Sequence, residues 1–312
     1  MKPASRLAAA FAASVILGIA TIGHAADGGT ILFVGNSFTF GEGSAVHYYR
    51  NNTVTDLNNE GVGGVPALFK VFTAQAGLKF DVSLETRGGA GIDWHLQNKK
   101  AEIGSRAWDV VVAHGYSTLD RDKPRDPAKL ISTSKELADL MRAKNPKVDL
   151  YLTSTWSRPD QVIPENGAWF GKSMEVMAKD IRVAYDKAAG ASGAKVVPVG
   201  DAFNRAVNVG FADANPMDGL DANKVDLWTF DNYHASTYGY YLEALMVFGR
   251  VTGRDPRSLG ERECSALELG LSTAQTKQLQ QIAFDELATV MSITANPKTN
   301  TERAAAARCP PN

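Results

Sequence analysis

Thr30-Ile31-Leu32-Phe33-Val34-Gly35-Asn36-Ser37-Phe38-Thr39 is the stretch from which the rest of the chain can be read. Its apolar run is unbroken, as in a strand covered on both faces, whereas a half-exposed strand alternates apolar with polar residues. Gly35 stops the run and permits a tight turn, having no Cβ to clash. Asn36-Ser37 then stands where a helix or turn begins. Backbone N–H groups there point outward and favour developing negative charge. That environment suits a serine that attacks a carbonyl and stabilises the resulting oxyanion. A turn with a helix cap accounts for the same residues without any chemistry.

Further strand candidates are residues 80–85, 109–113, 148–153 and 195–199, most of them near-continuous in apolar residues. Helical patterns lie between and after them. Residues 65–76 carry Pro66 in the first turn. Residues 127–144 stop before Asn145-Pro146. Residues 170–189 end at Gly190, and 236–252 end at Gly253 with Pro256 beyond. Residues 272–291 have Ser272 as N-cap. The alternation predicts an α/β chain: a three-layer α/β/α sandwich on a mostly parallel sheet of about five strands. Sites in such sheets form at the carboxyl ends of the strands, so those ends are the places to look for chemistry.

Far along the chain, Phe230-Asp231-Asn232-Tyr233-His234 follows Trp228 and precedes the helical pattern from Ser236. On a tight turn, the three-residue spacing lets the Asp231 carboxylate reach His234 Nδ1. This fixes the tautomer and leaves Nε2 to take a proton from a serine. A structural histidine is the plainer reading of His234 alone. Its pairing with Asp231, and with a serine at a strand end, favours the catalytic one.

Taken together, the two blocks resemble the SGNH (GDSL-like) hydrolase superfamily, in a bacterial branch whose serine block reads Gly-Asn-Ser-Phe-Thr instead of Gly-Asp-Ser-Leu. Residues 35–39 match that block and residues 231–234 match the D-x-x-H block. Ala235-Ser236 and Gly239-Tyr240-Tyr241-Leu242 continue in the branch's style, and the similarity extends over residues 30–256. The resemblance implies a flavodoxin-like SGNH hydrolase fold, with Ser37 as nucleophile, His234 as base and Asp231 as its orienting acid. It also implies an oxyanion hole made by the Ser37 N–H, a glycine after the second strand and a donor after the third. Thr86-Arg87-Gly88-Gly89-Ala90-Gly91 occupies the glycine position; Gly89 is the choice and Gly88 the alternative. The third block departs from the family's Gly-x-Asn-Asp and reads Val112-Ala113-His114-Gly115-Tyr116-Ser117-Thr118. Matching Gly115 to the family glycine puts Ser117 in the place of Asn, while His114 falls near a Gln of the branch. The third donor is therefore expected to be His114 or Ser117, and a core histidine is the other reading of His114.

The resemblance implies hydrolysis of short acyl esters, often acetyl groups on carbohydrates, by a serine esterase without a cofactor. Two other uses of the fold stay open: a carbohydrate-binding or scaffolding protein with a degraded site, and an acyltransferase. Other chemistries find no motif. There is no phosphate loop, dinucleotide fingerprint or His-Glu-x-x-His, and no Gly-x-Ser-x-Gly elbow. His47, His95, His114 and His234 lack ligand spacing, so no metal is expected.

The chain begins with Lys2 and Arg6, an uncharged apolar stretch over residues 7–22, and Gly23-His24-Ala25. This is the layout of a signal peptide over residues 1–25, and the stretch is short and Ala-rich for a spanning helix. It leaves a hydrolase domain over 27–292, a tail over 293–312 and an exported, periplasmic or secreted protein. The formal net charge of −1, with no dense basic run, gives no reason to expect nucleic acid. In an oxidising compartment Cys264 and Cys309 are a disulfide candidate, with two separate thiols as the alternative. Residues 40–64, with His47-Tyr48-Tyr49-Arg50, read as a lid or substrate wall, or as a packed loop. Trp94 and Trp156 stand at strand ends where either could line a pocket. Arg158 is an anion holder or a solvated surface residue.

Overall fold

The computed structural model describes residues 28–293 and Cys309. The signal-peptide reading, and the tail apart from residue 293 and Cys309, lie outside these residues. Strand β1 (Gly28–Gly35) runs into a single helical turn, α1 (Ser37–Phe40). A short strand, β2 (Thr55–Asp56), precedes α2 (Gly64–Gln75) and β3 (Lys79–Thr86). Helices α3 (Ile92–Asn98) and α4 (Lys100–Ile103) lead to β4 (Val110–Ala113), and α5 (Ala128–Lys144) leads to β5 (Asp149–Ser154). Then come α6 (Pro159–Val162), α7 (Met174–Ser192) and β6 (Lys195–Pro198). The described chain closes with α8 (Val199–Asn208), α9 (Thr237–Thr252), α10 (Cys264–Glu268) and α11 (Thr273–Leu287).

The strands form one sheet in the order β2-β3-β1-β4-β5-β6, with every pairing parallel. It has six strands where about five were expected. The extra one, β2, pairs only Thr55 with Ser83 and Asp56 with Leu84 at the sheet edge. Two polar residues make no apolar run. Helix α7 also departs from expectation. It starts after an N-cap at Ser173, passes through Gly190 and ends at Gly193, whose φ of 67° supplies the left-handed cap. The capping box expected to start at Ser272 is complete, with Gln275 reaching back to the cap.

β1 shows how the layers arise from sequence. Successive strand side chains point to opposite faces. Ile31 and Phe33 join Phe69, Phe203, Tyr240 and Leu279, from α2, α8, α9 and α11. Leu32 and Val34 join Leu96, Leu137 and Ile181, from α3, α5 and α7. Burying each such side chain stabilises the fold by about 1.5–3 kcal/mol. No helix among the described residues is long and apolar enough to cross a membrane. Cys264 and Cys309 form the disulfide, with their Cα atoms 5.4 Å apart.

The strand order sets the location of the site. β1 lies between β3 and β4, so the connections diverge at its carboxyl end. A crevice opens outside the sheet at such a switch point. Ser37 follows β1, the glycine-rich turn follows β3, and residues 114–117 follow β4.

Candidate active site

Each residue around Ser37 has a definite task. A methyl on Gly35 would stand 2.0 Å from Thr39 Oγ1 and 2.7 Å from His114 Nε2, so this position must be bare. Asn36 caps α1 by accepting the Phe38 N–H (3.0 Å), and its Nδ2 donates to the Ala90 carbonyl (2.8 Å). That single side chain ties the serine turn to the glycine turn. Ser37 is the first helical residue, so its N–H has no acceptor within the helix. Phe38 stacks on Trp156 at 4.0 Å between ring centres, and its ring meets those of Tyr233 and His234 edge-on. The Tyr240 hydroxyl holds the Ser37 carbonyl (3.2 Å).

The histidine turn is closed several times over. Thr229 N–H donates to the His234 carbonyl (2.8 Å), and Asn232 N–H donates to that of Thr229 (2.9 Å). Asn232 takes the left-handed conformation at φ 55°. Asp231 Oδ1 accepts from Thr229 Oγ1 and from the amides of Tyr233 and His234, at 2.7–2.9 Å. Asp231 Oδ2 lies 2.6 Å from His234 Nδ1. Burial alone would raise the Asp231 pKa; the bonds from His234, Thr229 and the two amides outweigh it and bring it down to about 2. An ionised carboxylate only accepts, so Nδ1 carries the proton and Nε2 of the neutral ring is the basic atom. Ser37 Oγ and His234 Nε2 are not hydrogen-bonded to each other in this structure. Catalytic contacts commonly tighten only when substrate is bound.

After β3, Ala90 N–H donates to the Arg87 carbonyl (3.1 Å), closing a turn with Gly89 at φ 68°. No atom lies within 4 Å of where a Gly89 Cβ would be, so this glycine is required by conformation rather than by crowding. Gly91, which the sequence reading passed over, is crowded. Its Cβ would lie 2.4 Å from the Tyr116 ring. Tyr116 was also missed, and only the fold brings it across from the end of β4.

Both ring nitrogens of His114 are engaged within the protein. The ring lies 3.0 Å from the Gly115 carbonyl through Nδ1, and a carbonyl only accepts, so Nδ1 holds the proton. Burial lowers its pKa to about 4 and keeps the ring neutral. Nε2 therefore accepts from Thr39 Oγ1 (2.8 Å), and both nitrogens are spent inside the core. Ser117, the other candidate, is engaged on one side only. Its Oγ accepts from Arg158 Nη1 (2.9 Å), and the hydroxyl proton remains to be given.

Other expectations change as well. Arg158 is buried, at 8% exposure, and does not reach solvent as a surface residue would. Trp156 is core, with Nε1 donating to the Tyr233 carbonyl (3.1 Å) beneath the histidine turn. The 40–64 segment is held in place: the Tyr49 hydroxyl and the Arg50 guanidinium both bind Glu268 of α10. Tyr48 stays 68% exposed, and Phe230, beside Asp231, is 91% exposed. Among the described residues no group of three or more His, Cys, Asp or Glu is placed to hold a metal. A hollow of about 570 Å³, lined by Lys70, Leu78 and Phe80, lies at the amino end of β3, the end of that strand away from the glycine turn, and its lining includes neither Ser37, Asp231 nor His234.

No family model and no curated protein sequence matches the chain. Its structure is similar to that of a DUF4886 family protein from Bacteroides uniformis, at 18% identity and a TM-score of 0.59, over 86% of this chain and 98% of that one. It is also similar to a protein assigned as a GDSL-like lipase from Parabacteroides merdae, at 18% identity and a TM-score of 0.52, over 72% and 95%. With its parallel sheet, its helices on both faces and its switch point at the end of β1, the chain has the SGNH (GDSL-like) hydrolase fold.

Proposed function

We propose that the protein is an exported serine ester hydrolase acting on short acyl esters, with Ser37, His234 and Asp231 as its triad. The observation that carries this is the 231–234 turn. Asp231 accepts a hydrogen bond from His234 Nδ1–H, which leaves Nε2 as a base on the Phe38 side of the serine turn. In the acylation step, Nε2 takes the Ser37 hydroxyl proton while Oγ bonds to the ester carbonyl carbon. The negative charge passes to the carbonyl oxygen. Its donors are the Ser37 N–H, the Gly89 N–H and the Ser117 hydroxyl. As the ester C–O bond breaks, His234 returns the proton to the leaving alcohol. Water then attacks the acyl-serine with His234 again as base, releasing the acid and restoring Ser37.

The resemblance supports acetyl esters on carbohydrates as the substrate class. The exposed rings of Phe230 and Tyr48 are suited to stacking against a sugar. The Lys2-to-Ala25 pattern supports export. Release of p-nitrophenol from its acetate, compared between the wild type and Ser37→Ala, tests the assignment. Turnover that vanishes in the variant supports it, and equal rates in both proteins would sink it. An acyltransferase would use the same triad with an alcohol in place of water; product analysis with an added alcohol separates the two.

A further inference from the structure

Arg158 follows β5 and sits in surroundings that ordinarily exclude a guanidinium. A buried charge is costly unless its donors and its charge are met. Here Nε and Nη2 fork onto Asp160 Oδ1 and Oδ2 (3.0 and 2.6 Å), and Nη1 donates to Ser117 Oγ (2.9 Å). The guanidinium carbon lies 3.5 Å from the centre of the Tyr233 ring. These partners come from two sides of the candidate site. Ser117 belongs to the segment after β4. Tyr233 is part of the histidine turn, with its ring centre 4.1 Å from that of His234. Asp160, the arginine's counter-ion, donates its own N–H to the Asn232 carbonyl (3.3 Å) of the same turn.

We propose that Arg158 is a positioning residue of the reaction, acting through Ser117 on the oxyanion side and through Tyr233 and Asp160 on the 231–234 turn. This inference rests on the ester-hydrolase reading. Each of the three nitrogens of Arg158 already donates to protein, which fixes the guanidinium as part of the framework around the site. Its effect on Ser117 is electronic as well as geometric. A charged donor at the serine oxygen fixes the rotor, and it polarises the O–H toward a stronger donor. A serine so loaded can stand where the family carries a longer amide side chain. On the other side, the planar face of the cation packs against Tyr233, and an ammonium cannot reproduce the fork and the stack together. A purely structural ion pair would behave differently: losing it would lower stability but leave turnover per folded molecule unchanged.

The test uses Arg158→Met, Arg158→Lys, Ser117→Ala and the Arg158→Met/Ser117→Ala double variant. Acetyl-ester hydrolysis is normalised to active sites titrated through Ser37, and thermal unfolding is measured alongside. Arg158→Met is expected to lower kcat about 10- to 100-fold with KM nearly unchanged, in the manner of a lost oxyanion contact. Ser117→Ala is expected to fall in the same range. The double variant should be little worse than the worse single, because the two residues act as one unit. Arg158→Lys should recover only part of the rate. Wild-type kcat in folded Arg158→Met, or fully additive losses, would overturn the proposal. If Arg158→Met does not fold, the other two single variants decide: a slow Ser117→Ala beside a full-rate Arg158→Lys rules out the arginine's part. Failure of the underlying reading looks different, because Ser37→Ala would then keep activity whatever stands at position 158.

Discussion

The two polar blocks that flank Ser37 are built in opposite ways. The 231–234 turn closes on itself: Asp231 collects four hydrogen bonds, all from residues 229–234. The segment after β4 closes a backbone turn, Leu119 N–H to the Tyr116 carbonyl (2.9 Å), but its polar groups are completed from elsewhere. His114 is satisfied by Thr39, Ser117 by Arg158, and the Gly115 N–H by the Tyr185 hydroxyl of α7. A carboxylate satisfied by its own neighbours presents its chemistry in the local sequence. A segment completed from elsewhere does not, and the same residue type can be a donor at the site or a buried strut.

The largest effect should come from breaking the self-closed turn. Asp231→Asn keeps the shape but permits the wrong His234 tautomer, and His234→Ala removes the base. Each is expected to lower kcat for acetyl-ester hydrolysis by about 10³–10⁴-fold. Loss within tenfold for either would mean that the turn is not the base of the reaction.

The glycines of the β3 turn come next. Gly91→Ala drives a methyl to 2.4 Å from the Tyr116 ring, whereas Gly89→Ala meets no atom within 4 Å. Gly89→Ala should cost only about 1 kcal/mol, for its left-handed backbone, with kcat/KM within a few-fold of wild type. Gly91→Ala should lower both the melting temperature and kcat/KM further. The reverse order in kcat/KM would mean that substrate passes directly over Gly89.

His114 provides the smallest and most specific check, through pH. Its folded pKa of about 4 lies below the ordinary histidine value. The stability it contributes is therefore complete above about pH 6.5 and is lost as the pH falls toward 4, with a ceiling of about 3 kcal/mol. Asp231, also depressed, loses its contribution in a lower window, below about pH 4 and toward its folded value of about 2. His114→Gln can still accept from Thr39 and donate to the Gly115 carbonyl. It should flatten the stability profile between pH 6.5 and 4 in denaturant titrations while leaving the lower window intact. An unchanged profile would show that His114 is not held neutral by burial.

The same contrast explains what could be read in advance. Five strands announce themselves as runs rich in apolar residues, most plainly 110–113, which is apolar throughout as a strand covered on both faces should be. The β2 edge strand and helix α8 do not: one is two polar residues, and the other begins at Val199 directly where β6 ends. Ser37, Asp231 and His234 stand out because their motifs are local. The burial of Arg158 and the crowding of Gly91 depend on Ser117, Tyr233 and Tyr116, which only the completed sheet brings near. The two readings of His114 could not be told apart in sequence for the same reason, since its partner Thr39 lies 75 residues away.

Covalent labelling with a phosphonate ester probe, read by peptide mass spectrometry, tests the central claim most directly. The triad predicts one adduct, on Ser37, formed rapidly in the wild type and lost in His234→Ala. Ester turnover with the adduct on another residue, or with Ser37 unlabelled, would contradict it.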